Sequence, residues 1–127
     1  MKSERRKKIG PGITRGLVVR QPHVDRILAG RKVWEIRGTR TQIRGPIALI
    51  QSGSSCVVGT CEISSVVGPL SLSELRRNAR KAGVSPSDVS ELPYRTTYAW
   101  VLRRAKRLSC PRPYVHPSGA VIWVRLD

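Results

Sequence analysis

The sequence predicts an α+β fold, a small mixed-strand β-barrel decorated by two to three helices. Several short runs of β-branched and aromatic residues are separated by Gly, Pro and Ser punctuation. Only modest helical patterns interrupt them, and neighbouring runs stand close enough to pair as hairpins. The 127 residues suffice to bury one core without disulfides or a structural metal, so one domain is expected.

Each element follows from local chemistry. Residues 1–13, MKSERRKKIGPGI, are read as a flexible basic arm closed by a Gly-Pro-Gly break, with the single domain spanning 14–127. GLVVR (16–20) is a first strand. QPHVDRILAG (21–30) is a helix, with Pro22 in its first turn, Val24, Ile27 and Leu28 at helical spacing, and Gly30 as its stop. KVWEIR (32–37) is a second strand, and the polar GTRTQIRGP a loop. IALIQS (47–52) and VVGTCEISSVV (57–67) are strands joined by the small-residue turn GSSC. SLSELRRNARKAG (71–83) is the clearest helix: Ser71 and Glu74 form a capping box, and Gly83 ends it. SPSDVSEL is a helical turn capped by Ser85, Pro86 and Asp88. TTYAWVLRRAKRL (96–108) is a long strand, SCPRPYVHPSGA a Pro-rich loop, and VIWVRL (121–126) the last strand.

Charge dominates the composition: 24 Lys and Arg stand against 8 Asp and Glu, a formal net of +16. A compact chain of this kind repels itself, and a polyanion that releases counterions on binding offsets the cost. RNA, single-stranded or structured, is the favoured partner, and DNA the second that the charge admits. A GC-rich genome accounts for Arg over Lys, yet not for the shortage of acids. No apolar run approaches the roughly 20 residues of a membrane span, and no h-region follows the charged start, so a cytoplasmic protein without membrane contact is expected. Cys56, Cys61 and Cys110 are odd in number and lack C-x-x-C spacing, which argues against a disulfide framework and a zinc knuckle and for reduced, mostly buried thiols. No metal ligand set and no cofactor are indicated, and zinc-deaminase spacing is lacking.

The stretch RQPHVDRILAGRKVWEIR, followed by IRGPIALI and VVGTCEI, resembles the ASCH domain, a member of the PUA-like superfamily of β-barrels. The shared pattern is a Gln-Pro helix start, a G-x-K-x-x-E-x-R motif, an R-G before the next strand and a V-G-x-x-x-I strand. It continues through YAWVLRRAKRL, CPRPY and GAVIWVRL, so it spans roughly residues 16–126. The resemblance implies a barrel with an RNA-binding cleft beside the motif strand. It also brings alternatives, a metal-independent ribonuclease or a nucleoside amidohydrolase acting on acylated cytidine in the same cleft. In the amidohydrolase branch a lysine matching Lys32 activates a threonine three residues on, where this chain has Glu35. That branch supplies a further glutamate around the middle helix, where Glu74 stands here; with Glu35 in the threonine's place, acyl transfer lacks its hydroxyl nucleophile. A DNA-binding or interaction module is the remaining alternative.

Within the motif, Glu35 between Lys32 and Arg37 would fix both head groups for a phosphate or a base edge. Strand alternation places Glu35 and Arg37 on one face and Lys32 on the other, a conflict that eases if Lys32 sits at the loop-to-strand junction. A structural ion pair closing the barrel is the competing reading. Lys32 and Glu35 are the catalytic candidates if the chain is an enzyme. The nucleic-acid-binding candidates are Gln21, His23, Lys32, Glu35, Arg37, Arg40, Arg44 and Tyr98. Gln21 and His23 frame a helix N-terminus that would favour an anion, and His23 with His116 would be an acid-base pair for RNA cleavage. Arg40 and Arg44 extend a basic rim from Arg37. Trp34, Tyr98, Trp100 and Trp123 lie on strands, with core packing the stronger role for Trp100 and Trp123 in a chain without Phe. Tyr94, Tyr98 and Tyr114 are better placed to stack on bases. RRNARK (76–81) either tracks phosphate or forms a solvated helix face.

Overall fold

A computed structural model describes residues 9–126. It contains six strands, β1 (Arg15–Val19), β2 (Trp34–Arg37), β3 (Gly45–Gln51), β4 (Cys56–Val67), β5 (Tyr98–Pro113) and β6 (Trp123–Arg125). The helices are α1 (His23–Leu28), α2 (Leu72–Arg77) and α3 (Ala79–Ala82), with a 3₁₀ helix at Pro86–Glu91. The predicted order of elements is therefore present. One mixed sheet runs β2-β5-β4-β3-β1-β6, with β1 parallel to β3 and the other pairs antiparallel.

The sheet curls until its two ends meet. Arg37 on β2, at one edge, donates from Nη2 to the carbonyl of Val18 on β1 at 3.0 Å, from the opposite end of the strand order. Trp100 on β5 stacks on Trp123 of the far edge strand β6, ring centroids 5.9 Å apart and nearly parallel. Side chains thus close the seam that no backbone ladder closes, giving a half-barrel. Inside it pack Leu17, Val19, Ile47, Leu49, Ile63 and Trp100, covered by Val24 and Ile27 of α1. Gly59 makes this cover close-fitting, because a Cβ there would collide with Leu28 of α1 and with the backbone of Lys106. On the other side of β2, Trp34 and Ile36 pack against Leu75, Ala79 and Ala82 of the helices.

Beyond shifts of one or two residues at element ends, the structure departs from the sequence reading in particular places. The helix expected over 71–83 breaks at Asn78, whose side-chain Nδ2 donates to the carbonyl of Glu74 at 2.8 Å and so competes with the helical ladder. Its capping box is present as expected: Glu74 N–H donates to Ser71 Oγ, and Ser71 N–H to Glu74 Oε1. β5 continues through Ser109–Pro113, read as loop. Proline is tolerated there because only β4 pairs with this part of the strand. β2 begins at Trp34 rather than at residue 32. The Ser85 side chain does not cap the 3₁₀ helix and bonds Ser87 Oγ instead.

Of the predicted basic arm, residues 1–8 lie outside the described part of the chain, whereas Ile13 is buried with Ala48, Ile50 and Val124. The thiols are all free: Cys61 is buried, Cys56 half-buried and Cys110 exposed. Among the described residues no group of His, Cys, Asp and Glu is arranged to hold a metal ion. No helix there is long and apolar enough to cross a membrane.

Candidate functional site

The motif Lys32, Glu35 and Arg37 sits at the seam. Alternation along β2 turns Trp34 and Ile36 toward the helices and leaves Glu35 and Arg37 on the opposite face. Lys32 escapes the alternation because it precedes the strand, its N–H held by the carbonyl of Arg26 at 3.1 Å. From there its stem lies against Gly83, and its ammonium points back toward Glu35.

Three acceptors surround that ammonium. Lys32 Nζ donates to the carbonyl of Trp34 at 2.7 Å and to the carbonyl of Ala82, at the end of α3, and stands 3.7 Å from Glu35 Oε1. Glu35 Oε2 in turn receives Arg37, with Nε at 2.9 Å and Nη2 at 2.8 Å. The Arg37 guanidinium also lies over the Trp100 ring, 5.5 Å from its centroid. The Trp100 indole N–H donates to the Thr39 carbonyl at 2.9 Å. Lys32 is 2% exposed and Glu35 7%, so this is a buried, hydrogen-bonded ion cluster that ties β2 to α3 and β1. Burial pushes the Lys32 ammonium below the usual lysine range, with the Glu35 charge opposing the shift.

The cluster forms the floor of a cleft of about 610 Å³. One wall is the end of β1 with Arg20, followed by His23 at the start of α1. The second is Val84 after α3, with Leu92, Pro93 and Tyr94 after the 3₁₀ helix. The third is His116, Ala120 and Val121 of the loop before β6, with Ser52 and Gly53 between β3 and β4. Three cations, Arg20, Lys32 and Arg37, face one carboxylate, Glu35. Gly38 lets Tyr94 settle at the cleft, because a Cβ there would stand 2.9 Å from Tyr94 Cδ1.

Both histidines line the cleft. His23 Nδ1 is buried and has no hydrogen-bond partner among the described residues. Burial first, then the Lys32 charge, holds its imidazole below the usual value. His116 is exposed and latches its own loop, with Nδ1 at 2.6 Å from Tyr114 Oη and Nε2 at 2.7 Å from the Ala120 carbonyl. Since a carbonyl only accepts, Nε2 carries a proton and donates it to Ala120. Cys61, behind the floor, has its thiol pushed up to about 12 by burial and by the charges of Glu35 and Glu62.

The structure therefore brings together Lys32, Glu35, Arg37, His23, His116 and Tyr94 of the sequence candidates, and leaves Gln21, Arg40, Arg44, Tyr98 and Tyr114 outside the cleft lining. Gln21 is exposed and donates to Gln51 Oε1 at 3.1 Å. Arg40 and Tyr98 meet each other: the guanidinium lies 5.0 Å from the ring centroid and donates to the Gly68 carbonyl at 2.6 Å. Arg44 folds onto the carbonyls of Thr41 and Ile43 in its own loop. With six residues, α1 is too short to supply the anion-binding N-terminus expected beside Gln21 and His23. Arg20, the apolar wall of Val84 and Leu92, and Val121 were absent from the sequence candidates. The position of Arg20, directly before the Gln-Pro helix start, was the available signal.

The chain matches the ASCH domain family over residues 17–112. Among solved structures it is similar to the ASCH protein of Zymomonas mobilis, with a TM-score of 0.68 at 15% identity over 89% of this chain and 87% of that one. A serine-to-alanine variant of that protein gives 0.67 at 16% identity, over 89% of this chain and 87% of the other. A tyrosine-to-phenylalanine variant gives 0.68 at 16%, over 89% of each chain. Curated proteins yielded no match. With the half-barrel, the motif at its seam and a family match over most of its length, this chain belongs to the ASCH domain family.

Proposed function

We propose that the protein binds RNA, with one unpaired nucleotide entering the seam cleft. The observation that carries this reading is the cleft's composition: three cations against one carboxylate on the floor, beside an apolar and aromatic wall. Its volume falls within the roughly 300–1,000 Å³ of small-molecule sites, enough for a nucleotide. The Glu35 anchor keeps Arg37 in one place, so the guanidinium meets a ligand with little rotamer entropy left to lose. Arg20, exposed at the rim, suits a phosphate, and the Tyr94 ring suits a base.

Binding is better supported than acyl transfer. The Lys32 ammonium donates to two backbone carbonyls and stands at ion-pair distance from Glu35, and that carboxylate, three positions on, is already paired with Arg37. Neither group is free to activate or serve as a nucleophile.

The test is fluorescence anisotropy of labelled single-stranded RNA, against duplex DNA of equal length, at two salt concentrations. Arg20→Ala should flatten the log–log salt dependence by about 0.7, the share of one neutralised phosphate on a single strand. Tyr94→Ala should lose about 1–3 kcal/mol of stacking. Wild-type binding in both variants would sink the cleft as the RNA site, and equal affinity for duplex DNA would sink the preference for RNA.

A further inference from the structure

β5 is 16 residues long, but β2 pairs only with its segment Tyr98–Val101. After Leu102, whose N–H reaches the carbonyl of Val33, no strand among the described residues pairs with its outer edge. That open stretch is basic and exposed: Arg103, Arg104, Lys106 and Arg107.

A bulge gathers these cations. The register passes from Glu62↔Arg103 to Thr60↔Lys106, three steps on β5 against two on β4, and Arg104 takes up the difference at φ +55°. Plain alternation would send Arg103 and Arg104 to opposite faces. Instead both reach Glu62, at 3.7 and 3.4 Å. Lys106 has no ion-pair partner among the described residues. Arg107 pairs with Asp25 of α1 at 3.1 Å, and Asp25 stands two positions after the cleft residue His23. The basic edge therefore begins within one helical turn of the cleft.

Basic side chains and a bulge also guard an open edge against pairing with another chain, a role that needs no ligand. Here four cations face two carboxylates, leaving an excess that suits a polyanion. We infer that the bulged edge of β5 is a second phosphate-contacting surface for RNA, one that tracks the backbone of a strand too long for the cleft alone. The inference deepens the cleft reading and rests on its choice of RNA as partner.

The test compares a short RNA of about four nucleotides with one of about sixteen. The double variant Arg104→Gln, Lys106→Gln should bind the longer RNA about tenfold more weakly, with a salt slope lower by about 1.4, and the shorter one as the wild type does. Glu62→Gln should do the opposite. Releasing Arg103 and Arg104 tightens the longer RNA several-fold and steepens its slope by up to about 1.4, a gain that misfolding cannot produce. An unchanged affinity and slope for the longer RNA in the double variant would overturn the inference. So would displacement of RNA by polyglutamate as readily as by unlabelled RNA, which would make the edge a generic cation patch. Weakened long-RNA binding in the double variant, alongside wild-type binding in Arg20→Ala and Tyr94→Ala, would support the edge while sinking the cleft.

Discussion

The Cβ that Gly83 lacks would stand 2.9 Å from Cδ and 3.2 Å from Cγ of Lys32, so the lysine stem lies where a side chain would otherwise be. Gly83 also closes α3 in the left-handed region, at φ +69°, and its carbonyl accepts from Arg26 Nη1 at 2.8 Å. One residue thus ends a helix and makes room for the floor of the cleft.

Gly83→Ala should destabilise the protein by about 2 kcal/mol, of which about 1 reflects the left-handed backbone and the rest the displaced lysine. Gly30→Ala is the control. It has a similar φ of +79° but nothing within 4 Å of its Cβ, so only the backbone part should appear. Urea midpoints of the two variants measure the difference.

Glu35→Gln keeps the shape of the floor but leaves the buried Lys32 and the half-buried Arg37 without a counter-charge. Removing one member of a buried ion cluster typically costs about 3–5 kcal/mol, and a loss near the lower end is expected because Arg37 retains the Val18 carbonyl and Trp100. Arg44→Gln, on a side chain that bonds only its own loop, should stay within about 0.5 kcal/mol. Chemical denaturation of the three proteins at neutral pH tests the contrast.

His23 links stability to acidity. Burial, then the charge of Lys32, with lesser pushes from Arg26 and Arg37 and an opposing pull from Glu35, sets its folded pKa below the usual 6.5. As pH falls through 6.5 the unfolded chain takes up this proton first, so stability falls until the lower folded pKa is passed. His23→Gln should therefore show a shallower loss than the wild type between about pH 7 and pH 5. Urea midpoints at both pH values check the sign. An equal or steeper loss in the variant would contradict it.

Local chemistry made most of the elements legible, since Ser71 with Glu74, Gly30 and Gly83 each act within a few residues. The break at Asn78 was hidden because a side-chain amide competing with the helical ladder looks, in sequence, like any polar helix residue. The far half of β5 was hidden because prolines signal a loop unless the strand is known to have an open edge, which is a property of the whole sheet. At the site, the spacing of Lys32, Glu35 and Arg37 announced an ion cluster, and Lys32 at the junction resolves the alternation conflict. Its position at the seam depends on contacts such as Arg37 with Val18, 19 residues apart, and Trp100 with Trp123, which only folding creates. Arg40 and Arg44 are near Arg37 in sequence, yet loop geometry turns Arg40 to the Gly68 carbonyl and Arg44 to those of Thr41 and Ile43.

Two of the three tryptophans face each other across the line where the half-barrel shuts, and the cation resting on one of them belongs to the cleft floor. Parallel indoles this close share their excited states, so the molecule carries its own optical gauge of how far that line has parted. A ligand that displaces the guanidinium is therefore expected to change the near-ultraviolet signal without any label.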